Sequence, residues 1–442
     1  MKIYWILFVF TWSTISAQNW VPLTTGLDYD ARVLYADSVS GKLFVGGNFR
    51  HAGGMNANVI AAWDGNAWDT LAGGMGDPNP VQTIKRFQNR LYVGGNFTKA
   101  GGRTVNGFTS WNGTGWDSIN IAFHDGIVAG FYEHNNLLYC MGDFDSTGSA
   151  HSPLVAAWDG ANWIPIGLPH AVGGGYTIGS CIEFQNELYF AGNFTDSASV
   201  LFDFVKWDGT NWYKAGGNFG GFISSMVIYN NEMYISATGP LSNSPGQYIV
   251  KFDGTNFYSV GGGINDLVYN LKVIGNKLFA VGVFTQAGST PASCIAMWDG
   301  NTWSALSADT FNNAIEDLEM FNNELYVTGG FNKINSDTFS YIAKYIGVLP
   351  NGVEELSSQN NIGFYPNPST GVYHLQGNNK EFSLVSVRIY DALGKLVKQY
   401  DLSMRTGSYK VDIDLRNEPN GIYAINVITN NSSSVAKIIK QN

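Results

Sequence analysis

Histidine and carboxylate are the side chains here best suited to acid–base work or metal binding, and their spacing limits what they can do. Of six histidines, four fall in segments that the reading below places in loops of one face: His51, His124, His151 and His170. Asp77 and Asp125 lie in loops of the same kind. Imidazole with carboxylate suits several divalent ions, but these spacings match no ligand motif, and a bound ion needs convergent partners. These six residues are therefore read as a loop-face binding set for a polar ligand, with no metal, cofactor or catalytic centre expected. Cys140, Cys181 and Cys294 are far apart and form no C-x-x-C pair, so they read as buried thiols rather than a disulfide framework or a zinc site. No Gly-x-Ser-x-Gly, His-Glu-x-x-His or phosphate-binding glycine loop is present.

The most frequent carboxylates point away from catalysis. Asp64, Asp159, Asp208, Asp253 and Asp299 each follow an aromatic and precede a glycine, in Trp63-Asp64-Gly65 and its later copies. An active site needs one distinctive constellation, whereas a residue recurring in nearly every unit of a repeat does a structural job. Asp is well suited to turns, because its side chain bonds the backbone ahead of it.

Those triplets belong to a long-period repeat. The first aromatic recurs at 63, 111, 158, 207, 252, 298 and 345, the last copy being the degenerate Tyr345-Ile346-Gly347. Five residues after each of the first six stands a second aromatic: Trp68, Trp116, Trp163, Trp212, Phe257 and Trp303. Upstream of each triplet lies an apolar run such as Leu43-Phe44-Val45-Gly46-Gly47 or Leu91-Tyr92-Val93-Gly94-Gly95. Each unit reads as four short strands. In the second, an alternating run from Val81 to Phe87 turns at Gln88-Asn89, and Arg90 to Phe97 forms the next strand. A polar loop, Thr98 to Asn106, then leads to a hairpin whose turn is Asn-Gly-Thr-Gly. No 3.6-residue apolar period appears, so helices are few.

Composition agrees with this reading. The 442 residues are only 14% charged, yet they are 14% aromatic and include 53 glycines. Four-stranded units at this interval pack radially as propeller blades. The order of strands, with Gly-Gly ending the second and an aromatic pair flanking the third-to-fourth hairpin, resembles kelch and galactose-oxidase-like propellers over residues 18–347. The seventh unit lacks a fourth strand, and Trp20 to Leu23 matches the fourth-strand pattern. It is expected to pair beside Tyr341 to Tyr345 and close the ring.

Both termini speak of export. Lys2, the apolar run Ile3 to Phe10 and the small-residue end at Ala17 have the parts of a secretory signal peptide over residues 1–17. That run is about half of the ~20 residues a membrane span needs, and no later segment is long enough. Residues 348–361 read as a linker, and 362–442 as short alternating strands of a small Ig-like β-sandwich. Tyr365-Pro366-Asn367-Pro368-Ser369-Thr370-Gly371 is followed by Tyr390-Asp391-Ala392-Leu393-Gly394-Lys395, then by Gly421-Ile422-Tyr423 and finally Lys437-Ile438-Ile439-Lys440. In this order at the extreme C-terminus they resemble the type A sorting domain of the type IX secretion system of Gram-negative bacteria. The resemblance implies passage through the periplasm, recognition by the type IX machinery, and release or attachment at the cell surface.

The fold expectation is thus all-β: a seven-bladed propeller followed by a sandwich. The net charge of −10 argues against nucleic acid, which needs clustered Lys and Arg. The functional expectation is an exported, non-enzymatic module that binds a protein or a glycan through its loop face. The rival is a polysaccharide hydrolase or lyase with acids in the axial channel.

Overall fold

The computed structural model describes residues 19–442 except 77–78, 120–125, 148–149, 169–176, 196–200, 217–221, 238–246, 348, 350–362, 366–368, 380–382, 391–395, 405–406, 429–432 and 441–442. The proposed signal peptide and nearly all of the linker therefore lie outside the described residues, as do Asp77, His124, Asp125, His170, Pro366, Asn367, Pro368, Asp391, Gly394 and Lys395. The chain forms two compact units, residues 1–349 and 350–442. Among the described residues there is no helix.

The first unit is a ring of seven four-stranded antiparallel sheets. The innermost strand of each blade comes first in its repeat: Ala31–Asp37, Val81–Phe87, Ile127–His134, Thr177–Phe184, Ile223–Tyr229, Val268–Ile274 and Ile315–Phe321. Each lies against the innermost strands of the blades before and after it, and the seventh lies against the first, so the cycle is closed. Closure is by the N-terminus. Trp20–Pro22 is the outermost strand of blade 7, with Trp20 opposite Tyr345 and Pro22 opposite Ala343. Trp20 is fully buried, and its ring meets the edges of Phe311 and Tyr345 at 5.3 and 4.9 Å between centroids. Pro22 lacks an amide hydrogen, which costs little on an outer strand.

Packing explains the aromatic pair of the repeat. Trp63 and Trp68 face each other across the outer hairpin with centroids 5.2 Å apart, and Trp111/Trp116, Trp158/Trp163, Trp207/Trp212, Phe252/Phe257 and Trp298/Trp303 repeat this at 4.6–5.3 Å. Indole N–H groups of the second aromatic reach the preceding blade: Trp116 donates to the Leu71 carbonyl, Trp212 to Gly167 and Trp303 to Val260. These three bonds satisfy the indole N–H groups and align neighbouring blades, whereas the buried Trp68 Nε1 has no hydrogen-bond partner among the described residues. Between the pair, Asp64 Oδ1 accepts from the amides of Asn66 and Ala67, both at 2.8 Å, and the same bonds recur at Asp159, Asp208, Asp253 and Asp299. The following glycines, such as Gly65 at φ 104°, occupy the region other residues avoid. The recurrent aspartates are turn residues.

Two local expectations change. Val81–Phe87 is not simply alternating: a β-bulge between Val81 and Thr83 puts buried Val81 and Ile84 three residues apart, and Phe87, on the other face of the strand from Ile84, is buried in a separate core cluster. The polar loop after the second strand is itself ordered, with Lys99–Ala100 pairing with Arg103–Thr104 in a small hairpin. Blades 1, 3, 6 and 7 carry the same device. In blades 1, 2, 6 and 7 the hairpin is bridged to the segment that enters its blade, through Leu27 and Ala52, Met75 and Ala100, Ile264 and Ala287, and Phe311 and Ile334.

The second unit packs a three-stranded sheet, Gly363–Tyr365, Val372–Asn379 and Gly407–Asp414, on a four-stranded one, Leu396–Met404, Ser383–Tyr390, Gly421–Ile428 and Ser433–Lys440. Tyr373, Leu375 and Ile413 from the first meet Val387, Ile389, Tyr423, Ile425 and Ile438 from the second in one core. This is the expected sandwich.

Candidate functional site at the propeller axis

The seven innermost strands share one irregularity. Each carries a bulge after its first buried residue, at Ala31/Val33, Val81/Thr83, Val128/Gly130, Ile178/Ser180, Ile223/Ser225, Val268/Asn270 and Ile315/Asp317. The residue before each bulge is fully buried in all seven blades. The inserted residue is at least partly exposed in all seven: Arg32, Gln82, Ala129, Gly179, Ser224, Tyr269 and Glu316. Bulges re-aim side chains, and seven at one level around the inner edge of the ring set seven residues around its axis. They sit at the end where the second strands terminate and the small hairpins emerge.

The repeat fails at this level. Around the ring the residues read Ser224, Tyr269, Glu316, Arg32, Gln82, then Ala129 and Gly179, so five blades contribute functional groups and blades 3 and 4 leave room. Arg32 Nη1 donates to Gln82 Oε1 at 3.4 Å, and its Nε lies 3.9 Å from Asp30. Ser224 donates to the Val268 carbonyl at 2.6 Å. Glu316 has no hydrogen bond or ion pair among the described residues. Burial pushes its carboxyl up to about 7; Arg32 pulls it down, while Asp30 and Asp317 push it further up. Burial, and then the same carboxylate, raises the phenol of Tyr269 in the preceding blade.

One residue further along, a polar belt ties four blades together. Ser225 Oγ donates to Asn270 Oδ1 at 2.8 Å, and Asn270 Nδ2 donates to Asp317 Oδ1 at 2.7 Å. Asp317 Oδ2 then accepts from the Leu34 amide of blade 1 at 2.7 Å. Asp317 is buried, and burial lifts it to about 6 although Lys272 and the amides of Leu34 and Leu318 oppose that. Glu316 and Asp317 are thus adjacent carboxyls with different surroundings: Asp317 is hydrogen-bonded within the wall, and Glu316 at the axis has no hydrogen bond or ion pair among the described residues.

Of the six loop-face residues, only His51 and His151 are described. His51 belongs to the small hairpin of blade 1, opposite Asn56, and its Nδ1 lies 2.7 Å from Asp28 Oδ2. Asp28 also accepts from the amides of Arg50 and His51, so this histidine clamps the loop. His151 pairs with Ser146 in blade 3. The two are separated by a whole blade, and Asp77, His124, Asp125 and His170 lie outside the described residues. Among the described residues no three His, Cys, Asp or Glu side chains are placed to hold a metal.

Sequence reasoning passed over Arg32, Tyr269, Glu316 and Asp317. Their signal was present as a departure from the repeat. In the alignment of seven innermost strands the first buried position is always apolar, whereas the next two positions change from blade to blade.

In the second unit, sorting motifs far apart in sequence converge. Ser369 bridges to Lys440, and Gly421 pairs with Lys440 in the sheet. The Lys440 ammonium is buried and donates to the carbonyls of Arg416 and Glu418. Gly371 has φ 117°, and its carbonyl accepts from the Leu415 amide at 2.6 Å. A Cβ there would stand 2.9 Å from the Arg416 backbone. Tyr423 donates to the Pro419 carbonyl at 2.6 Å. The side chains of Tyr365, Tyr390 and Lys437 lie outside the described residues, although their backbones are in strands.

Residues 363–441 match the family model described as the secretion system C-terminal sorting domain. No curated protein matches the chain. Among solved structures, it is similar to an α-L-arabinofuranosidase of Clostridium thermocellum at 12% identity, over 63% of this chain and 94% of that one, with a TM-score of 0.23. It is also similar to dimeric latent PorU of Porphyromonas gingivalis at 11% identity, over 94% of this chain and 34% of that one, with a TM-score of 0.17. At these TM-scores neither likeness bears on function. The C-terminal match does: the second unit is a type IX sorting domain, and the protein is exported to the cell surface or beyond it. No helix among the described residues is long and apolar enough to cross a membrane.

Proposed function

We propose that the propeller is an exported, non-enzymatic binding module that holds an extracellular glycan at its axial mouth. Residues 1–17 serve as its signal peptide, cleaved after Ala17, and the type IX machinery recognises the second unit. The observation that carries the reading is Glu316, a half-buried carboxyl with no hydrogen bond or ion pair among the described residues, in a ring whose other members differ from blade to blade. Leaving a polar group unpaired in a partly desolvated place is costly, so it persists where a ligand completes it. Ser224, Gln82 and Arg32 supply further hydrogen-bonding groups, Tyr269 supplies an aromatic ring, and Ala129 and Gly179 leave space opposite. A sugar offers hydroxyls to the first set and apolar C–H faces to the ring. The repeats themselves support a kelch-like subtype through their Gly-Gly strand ends and aromatic hairpins.

One observation favours the rival reading. A carboxyl pushed to about 7 carries its proton near neutrality, as a general acid for glycoside cleavage must. The test is a glycan array with the full-length chain, followed by incubation with the glycans retained. Binding without product release, weakened at least tenfold by Glu316→Ala, is the expected outcome. Product release abolished by Glu316→Gln would replace binding with hydrolysis or elimination. No binding to any glycan would remove the reading.

A further inference from the structure

Blades 4 and 5 share a second constellation on their outer strands, away from the axis. In blade 4, Lys206 stands opposite Tyr213 in the sheet, and its ammonium is held by Glu187 at 2.7 and 3.0 Å. In blade 5, Lys251 stands opposite Tyr258 and is held by Glu232 at 2.8 and 3.0 Å. Tyr258 Oη donates to Asp253 Oδ2 at 2.8 Å, and in blade 4 the neighbouring Asp208 carboxylate raises the Tyr213 phenol above its ordinary value. Lys251 Nζ lies 5.7 Å from the Tyr258 ring centroid. The two tyrosines are 46% and 42% exposed, and they are among the few large apolar side chains that are exposed.

The constellation is not part of the repeat. Asp69 and Asp117 fill the same position in blades 1 and 2 and pair there with Lys42 and Arg90. Blade 7 keeps the ion pair, Lys344 with Glu324, but has Val21 opposite the lysine. Among the described residues, only blades 4 and 5 place an exposed aromatic ring at this position beside an ion pair.

We propose that Tyr213 and Tyr258 are two equivalent stacking platforms for the pyranose rings of one neutral polysaccharide, a surface site separate from the axial mouth. Three features select this occupant. Tyr258 is anchored through its hydroxyl and has the Lys251 ammonium beside its ring, and Tyr213 holds the same register position opposite Lys206, so little side-chain entropy is lost when a ligand covers the free face. The flanking Lys–Glu pair offers a donor and an acceptor at the ring edge, where a stacked sugar presents hydroxyls. Single rings set among charged residues do not make the charge-depleted centre that a protein interface needs. Duplication on consecutive blades suits a ligand that itself repeats, because the second contact is then intramolecular and raises avidity.

The experiment incubates the full-length chain with insoluble cellulose, xylan, chitin and starch granules and measures the protein left in solution. Retention on at least one polymer is expected. Tyr213→Ala and Tyr258→Ala should each weaken it about three- to tenfold and the double variant at least tenfold more, while Tyr213→Phe with Tyr258→Phe restores it. Both positions are exposed, so an unchanged melting curve accompanies each variant. Retention of the double alanine variant at the level of the parent, or retention of no polymer, overturns the proposal. The axial reading is tested apart from this one, with short oligosaccharides and Glu316→Ala. Loss of polymer retention in the tyrosine variants with oligosaccharide binding intact supports two sites, and the reverse pattern refers all binding to the axis.

Discussion

The outer hairpins and the axial mouth of the propeller are built from the same seven units, yet they follow opposite rules. At the hairpins the residue types recur: aromatic, Asp, Gly, then a second aromatic, because each blade must present the same surface to its neighbour and close the same turn. At the mouth the backbone recurs, down to the bulge in every innermost strand, but the side chains do not. Packing positions are constrained seven times over by one geometry, whereas positions at the axis are each set by what they face across it. The contrast teaches where to look in a repeat protein: repetition marks the scaffold, and its failure at a conserved backbone feature marks a site.

The sharpest way to break the contrast is at the ring closure, where one residue serves a repeated role from a distant part of the chain. Trp20→Ala removes a fully buried indole between Phe311 and Tyr345 and should cost about 3–5 kcal/mol. Calorimetry should show a melting temperature lower by roughly 8 °C or more. Deletion of residues 18–25 should do at least as much, and an unchanged melting curve would refute closure by this strand.

A change at the mouth should have the opposite sign. The folded-state pKa of Glu316, about 7, lies above its ordinary 4.5, so the folded protein holds the proton more tightly than the unfolded chain. Its ionisation therefore destabilises the fold progressively as pH rises from about 4.5 to about 7, and the penalty is complete above that. Glu316→Gln should stabilise the fold at pH 8 by on the order of 2 kcal/mol, read as a higher melting temperature, and should change little at pH 4. Equal effects at both pH values would mean that the carboxyl is not strained at the axis.

The smallest effect belongs to a single turn. Asp299→Ala removes the acceptor for the amides of Asn301 and Thr302, both at 2.8 Å, in an exposed loop. It should lower the melting temperature by roughly 1–2 °C and leave the proposed glycan binding untouched.

Much of this was legible without coordinates. The aromatic triplets, their companions five residues on and the Gly-Gly strand ends determine seven blades, because local turn chemistry and apolar patterning act over a few residues and repeat. Trp20 to Leu23 was recognisable as the missing fourth strand for the same reason, and the sandwich and its sorting motifs were readable in their order. The turn role of Asp64 and its copies followed from their recurrence. What tertiary structure decided is which unlike residues meet. Glu316 and Arg32 are 284 positions apart in sequence and become neighbours only when the ring closes. The bulges that turn Tyr269, Glu316 and Arg32 into one rim show in the sequence only as positions that vary from blade to blade, since any residue type can fill the inserted position. His51 and His151, alike in sequence as loop histidines, are kept a blade apart by the same closure. Patterning along the chain is set by local backbone and burial preferences. Convergence at the axis is set by how seven twisted sheets pack, and no single unit contains that information.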